Sequence, residues 1–238
     1  MRFQLALLAF ALLVAGCSRN SSSKQAAPTA FGAQIVEVSG GKQVAPVGST
    51  LPQPVVVQVN GADGNPVTGA VVRFRGEGLQ FAPAQALSDS SGQVTTSAQL
   101  GFSAGDYQIT AETAKQGGGT ASVALREIAL GYEGTLGKAV YDQYCIRCHD
   151  PESTPERVSN FDNLSPAPHQ FSDGATYNRL SDTDLINFVS HGGIGVGKSP
   201  QMPAYGATLK AAEIKALVAY IRSIADPPYQ TPGVKYGK

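Results

Sequence analysis

The chain has 238 residues, room for one or two domains, and its 18 Lys plus Arg balance 18 Asp plus Glu. A formal net charge of zero excludes nucleic-acid binding driven by bulk charge. With 27 Gly, 15 Pro, no Trp and only three Cys, the composition points to many turns and to no disulfide framework.

The first segment opens with Arg2 and then runs apolar from Leu5 to Val14. A basic start, a short apolar run and small residues read as a secretory signal over residues 1–16, and the run is too short for an ordinary membrane span. Its ending, Val14-Ala15-Gly16-Cys17, resembles a bacterial lipobox, in which the cysteine is lipidated and becomes the first residue. The resemblance makes Cys17 the site of a lipid anchor to a bacterial membrane facing the periplasm. Ser18, in place of Asp, favours the outer membrane by analogy with lipoprotein sorting. Residues 17–32 are mostly polar, with Ser21-Ser22-Ser23, Lys24 and Gln25, and read as a flexible tether.

From about Ala33 the pattern is one of short strands. Ile35 to Val38, Val55 to Val59, Ala70 to Arg75, Val94 to Leu100, Tyr107 to Ala111 and Ala121 to Leu125 are β-branched or alternating. Turn clusters at Gly61 to Pro66, Asp89 to Gly92 and Gly117 to Gly119 separate them. Such a run predicts an antiparallel β-sandwich over 33–128, with Val72 and Phe74 inside and Arg73 and Arg75 on the solvated face. Gly64-Asn65-Pro66-Val67, Val71 to Phe74, Asp89 to Val94 and Gly105-Asp106-Tyr107 resemble bacterial Ig-like domains of the invasin type. The resemblance implies a spacer or adhesive module, and no His, Cys or carboxylate cluster in this region builds a site.

At Cys145-Ile146-Arg147-Cys148-His149 two cysteines two residues apart are followed at once by histidine, the pattern of c-type haem attachment. Two thiols add across the two vinyl groups of one haem, so they sit about one helical turn apart. The adjacent imidazole then reaches the iron. A zinc site needs about four ligands, and a thioredoxin-like dithiol needs a βαβ setting. Neither requirement is met in this sequence.

Around this motif residues 131–226 read as helical, with 227–238 as a C-terminal tail. Gly137 and Tyr141 are four apart on one face of the helix leading into Cys145. A middle helix begins at Ser181-Asp182-Thr183-Asp184, a capping-box-like start, and ends near Gly192. A last helix, Leu209 to Ala225, carries Ile214, Leu217, Val218, Ile221 and Ile224 on one stripe, with Thr208 as its expected cap. Here the chain resembles class I cytochromes c, which implies that Tyr220 lies near Gly137 where the two helices cross. The fold class is thus multidomain, an all-β Ig-like sandwich followed by an all-α class I cytochrome c fold.

The same resemblance assigns one covalent haem c to Cys145, Cys148 and His149, and makes Met202, in Gln201-Met202-Pro203, the second axial ligand. His169 and His191 are the alternatives. A loop carbonyl, from Pro166 or by slight preference Pro168, accepts the N–H of the ligating histidine, and Arg147 and Arg179 either approach the propionates or face solvent. A His/Met iron has no open position, so the expected role is outer-sphere electron transfer with redox partner proteins rather than catalysis. Over residues 131–238 ten Lys and Arg face eleven Asp and Glu, so the sequence shows no strongly charged docking ring. A haem-based ligand sensor, an adhesion or scaffold lipoprotein with an accessory haem domain, and a subunit of a larger oxidoreductase complex are the rival roles.

Overall fold

The computed structural model describes residues 30–155 and 157–232. The segment expected to be a signal, Cys17 and nearly all of the expected tether lie outside the described residues. Nine strands come first. One sheet has the order β1 (Gln34–Ser39), β3 (Val55–Asn60), β7 (Gln93–Gln99), β5 (Gln80–Ala82). The other has the order β2 (Val44–Pro46), β9 (Thr120–Leu130), β8 (Gly105–Ala114), β4 (Val71–Arg75), β6 (Gln85–Leu87). The two sheets face each other through alternate side chains, because successive residues of a strand point to opposite faces. Val55, Val57 and Val59 on β3 are fully buried, as are Val72, Ala98, Ile109 and Ala111. Burying each large aliphatic side chain contributes about 1.5–3 kcal/mol. Arg73 and Arg75 face out as expected, bonded to Gln85 and Glu112.

Two features differ from the sequence expectation. The sandwich is not wholly antiparallel, since β2 runs parallel to β9 through Val44–Ile128, Ala45–Ala129 and Pro46–Leu130. Strand β9 also continues five residues beyond Leu125, the last residue of the alternating pattern, because its final turns serve a second core. Ile128 and Leu130 pack there with residues of the helical region, while Leu125 and Ala129 pack between the sheets.

One residue, Gly131, separates β9 from α1 (Tyr132–Val140). A π-helical turn (Tyr141–Cys145) and α2 (Ile146–His149) carry the same rod forward. After a short 3-10 turn at Phe161–Asn163 come α3 (Gly174–Tyr177), α4 (Asp182–Gly195) and α5 (Ala211–Ile224). Ser181 caps α4 in a reciprocal box with Asp184, the Ser181 hydroxyl accepting from the Asp184 N–H and the Asp184 carboxylate accepting from the Ser181 N–H. Helix α5 starts two residues later than its apolar stripe implies. Lys210, not Thr208, occupies its cap position, because the Glu213 carboxylate accepts the Lys210 N–H at 2.7 Å. Arg126 locks the joint between the two halves by pairing with Asp106 at 2.8 Å and donating to the Ala225 carbonyl at 3.3 Å.

Glu127 is fully buried on β9. Its Oε2 accepts from the Gln43 N–H at 2.7 Å, and its Oε1 has no partner among the described residues. Burial pushes this carboxyl up to about 7 from 4.5. The Gln43 bond opposes the shift, and the Glu37 carboxylate adds to it. Below about pH 4.5 the group is neutral in folded and unfolded chains alike and adds no pH-dependent cost. As pH rises to about 7 the unfolded chain ionises first, so the folded state loses stability. The loss is on the order of 3 kcal/mol and is complete above pH 7. Glu127→Gln is therefore expected to melt above the parent at pH 8 and level with it at pH 4.5. Equal melting differences at both pH values would show that Glu127 is not the titrating group.

Candidate haem site

The site grows out of one close helix crossing. An added Cβ on Gly137 would lie 1.9 Å from the Ala216 carbonyl oxygen and 2.8 Å from the Tyr220 Cβ, so only glycine lets α1 and α5 approach this closely. The crossing seats Tyr141 against Tyr220 (ring centroids 5.3 Å) and against Phe171 (5.2 Å). Phe171 in turn lies 4.5 Å from the His149 ring. This aromatic chain fixes the imidazole from behind. The π-helical turn immediately before α2 adds a residue to the helical ladder, a distortion frequent at functional sites.

Cys145, Cys148 and His149 line one wall of a cavity of about 440 Å³, a size within the range of ligand and cofactor pockets. Met202 lines the same cavity, with Phe171, Leu185 and Val189 among its apolar walls. Cys145 is buried and Cys148 half-buried, and the two thiols are not bonded to each other. Burial, with a smaller effect from Cys148, pushes the Cys145 thiol up to about 12. That is the reverse of the lowered value a redox dithiol needs. Among the described residues no three His, Cys, Asp or Glu side chains gather as a metal cluster of their own.

His149 Nδ1 lies 2.7 Å from the His169 carbonyl oxygen. A carbonyl only accepts, so Nδ1 carries the proton and Nε2 keeps the lone pair. Burial holds the imidazole below its ordinary value, although the His169 carbonyl opposes the shift, and so favours the neutral ring. The acceptor corrects the expectation for Pro168. That residue only lines the cavity, and the chain turns so that the next carbonyl, at His169, meets the ring. The Tyr177 hydroxyl donates to the same carbonyl at 3.2 Å.

The opposite loop is pinned at several points. Gly192 interrupts α4 with φ 67°, and an added Cβ there would lie 2.7 Å from the Met202 carbonyl oxygen. The Gly193 N–H donates to that same oxygen at 2.9 Å. Tyr205 donates its N–H to the Val189 carbonyl and its hydroxyl to the Tyr144 carbonyl at 3.1 Å, which ties the Met202 loop to the attachment helix. His191 is exposed, with its ring against the Asn187 carbonyl, and does not line the cavity. His169 lines it, but its ring pairs with Asp173 at 3.0 Å. Arg147 and Arg179 are exposed and do not line the cavity, whereas Lys198 does. The Gly192-Gly193 pair carried a sequence signal for the pinned loop. Lys198 and the His169 carbonyl carried none.

These residues fit haem c by the chemistry of their donors. Two thiols and a neutral imidazole stand one helical turn apart on an apolar wall, with a thioether on the same cavity. A family model described as "Cytochrome C oxidase, cbb3-type, subunit III" matches residues 133–221. Residues 133–221 are a c-type cytochrome domain. The cytochrome domain implies covalently bound haem c with its iron, and it points to haem-based electron transfer. The described residues join a two-sheet β-sandwich to this cytochrome domain.

Solved structures similar to the chain lie on the sandwich side. The D00-D0 domain of intimin matches with 15% identity over 44% of this chain and 51% of that chain, at a TM-score of 0.31. Invasin, a bacterial integrin-binding protein, matches with 19% identity over 40% of this chain and 19% of its own, at a TM-score of 0.30. The Yersinia pseudotuberculosis adhesin InvE matches with 15% identity over 40% and 31%, at a TM-score of 0.27. The chain thus spans about half the length of the intimin fragment and less of invasin and of InvE. No curated protein matches the chain.

Proposed function

We propose that this chain is an exported monohaem cytochrome c, anchored through a lipid on Cys17 and passing electrons at the periplasmic face of the outer membrane. The observation that carries the reading is the convergence of Cys145, Cys148, His149 and Met202 on one apolar cavity, with His149 Nδ1 committed to a backbone carbonyl. Bound haem supplies a one-electron Fe(III)/Fe(II) couple. Cys145 and Cys148 would hold it through thioethers, His149 Nε2 and the Met202 sulfur would be its iron ligands, and Lys198 would offer a cation to the propionates. A thioether favours Fe(II) and raises the potential. The packed aromatic chain behind His149 and the pinned Met202 loop hold both side chains in place, which would limit reorganisation on a change of iron charge. Ligation by both His149 and Met202 would leave the iron no open position, so the chain's role would be to pass electrons to and from partner proteins rather than to bind a substrate at iron.

The test is expression with the cytochrome c maturation machinery. The haem is expected to stay with the polypeptide through a denaturing gel in the parent and to leave it in the Cys145→Ser/Cys148→Ser double variant. A Cys17→Ser variant is expected to move from the membrane to the soluble periplasmic fraction. Haem that leaves the parent on denaturation would overturn the covalent reading, and an unmoved Cys17→Ser protein would overturn the anchor. A stable partner after purification from solubilised membranes would add membership of a larger oxidoreductase complex.

A further inference from the structure

The His169 carbonyl oxygen accepts two hydrogen bonds from side chains on the cavity wall, 2.7 Å from His149 Nδ1 and 3.2 Å from the Tyr177 hydroxyl. We infer that Tyr177 tunes the electron donation of His149 by sharing its acceptor. The inference rests on His149 being an axial ligand, as proposed above.

The sharing is built into the fold. Tyr177 ends α3, and its ring packs edge-on against Phe171 at 5.6 Å and His169 at 6.4 Å. Its own carbonyl accepts from Arg222 Nη1 at 2.7 Å, and Arg222 also donates to the Leu180 carbonyl and to Asp182. Helix α5, which crosses α1 at Gly137, therefore also sets where the Tyr177 hydroxyl stands.

The chemistry follows from the acceptor. A carbonyl oxygen has two lone pairs and can serve both donors, but each donor draws electron density that the other would otherwise meet. A hydrogen bond from Nδ1–H to an acceptor makes a ligating imidazole more basic at Nε2, and partners of this kind tune a metal centre. A donor that weakens that bond makes His149 a weaker donor to iron, which favours Fe(II). Tyr177 is thus a positioning residue that acts through His169 and His149.

Tyr177→Phe keeps the ring and removes only the donor. In the reduced holoprotein its His149 Nδ1–H resonance is expected to move downfield, as the bond to the His169 carbonyl strengthens. The equilibrium constant for reduction is expected to fall threefold to tenfold, or about 30–60 mV at 59 mV per tenfold for a one-electron couple. Tyr205→Phe is the matched control, because it removes a cavity phenol that donates to the Tyr144 carbonyl instead. Its His149 Nδ1–H resonance is expected to stay where it is in the parent. A resonance unmoved in Tyr177→Phe, or moved equally in both variants, would overturn the inference while leaving the ligation intact. A parent holoprotein with no haem-shifted His149 resonance would overturn the ligation reading and this inference with it.

Discussion

Met202→Ala is expected to lower the reduction potential by on the order of 100–300 mV, within the ~0.8 V range that axial ligands command. The same change is expected to open the sixth position, so that carbon monoxide binds the reduced protein and the long-wavelength band that marks methionine ligation disappears. The effect should be local, because the loop is held by its backbone. The Gly193 N–H holds the Met202 carbonyl, and Tyr205 ties the loop to α4 and to Tyr144. Deleting the thioether leaves all of these bonds in place. Spectroelectrochemical titration of parent and variant decides the matter. An unchanged potential with no carbon monoxide binding would mean that another group holds the position.

Gly137→Val is expected to destabilise the holoprotein by more than about 3 kcal/mol, the upper end for overpacking a close contact. The obstacle is backbone. The added carbon would meet the carbonyl oxygen and carbon of Ala216 at 1.9 and 2.5 Å, and neither can rotate away. The helices must part, and parting them breaks the ring series from Tyr220 through Tyr141 and Phe171 to His149. Denaturant unfolding of the holoprotein, followed at the haem band and by far-ultraviolet circular dichroism, measures the loss. A midpoint within the parent's error would show that α1 and α5 do not cross at Gly137.

Much of this architecture was legible in the residues, for physical reasons that differ by element. The alternation of Val55, Val57 and Val59 marks a strand buried on one face, and the stripe from Ile214 to Ile224 marks a helix. The short strands β2, β5 and β6 span three residues each, too few to show a period, and β2 finds a parallel partner more than eighty residues away. In the site, Cys145, Cys148, His149 and Met202 were legible because their side chains are the chemistry. The acceptor for His149 was not, because every residue type offers the same carbonyl and only the path of the loop selects His169 over Pro168. Lys198 reads in sequence as an ordinary surface lysine. Only the turn after Gly193 brings it to the cavity wall.

The junction at Gly131 has a mechanical meaning. The chain enters the sandwich beside the hairpin joining β8 and β9, where the Gly32 N–H donates to the Ala114 carbonyl. It leaves at the other end of β9, eleven residues and roughly 35 Å away along the strand. Ile128 and Leu130 are core residues of the cytochrome domain and at the same time rungs of the sheet. The sandwich therefore works as a boom rather than a leash. The end that carries the cavity turns only when the whole arm turns with it.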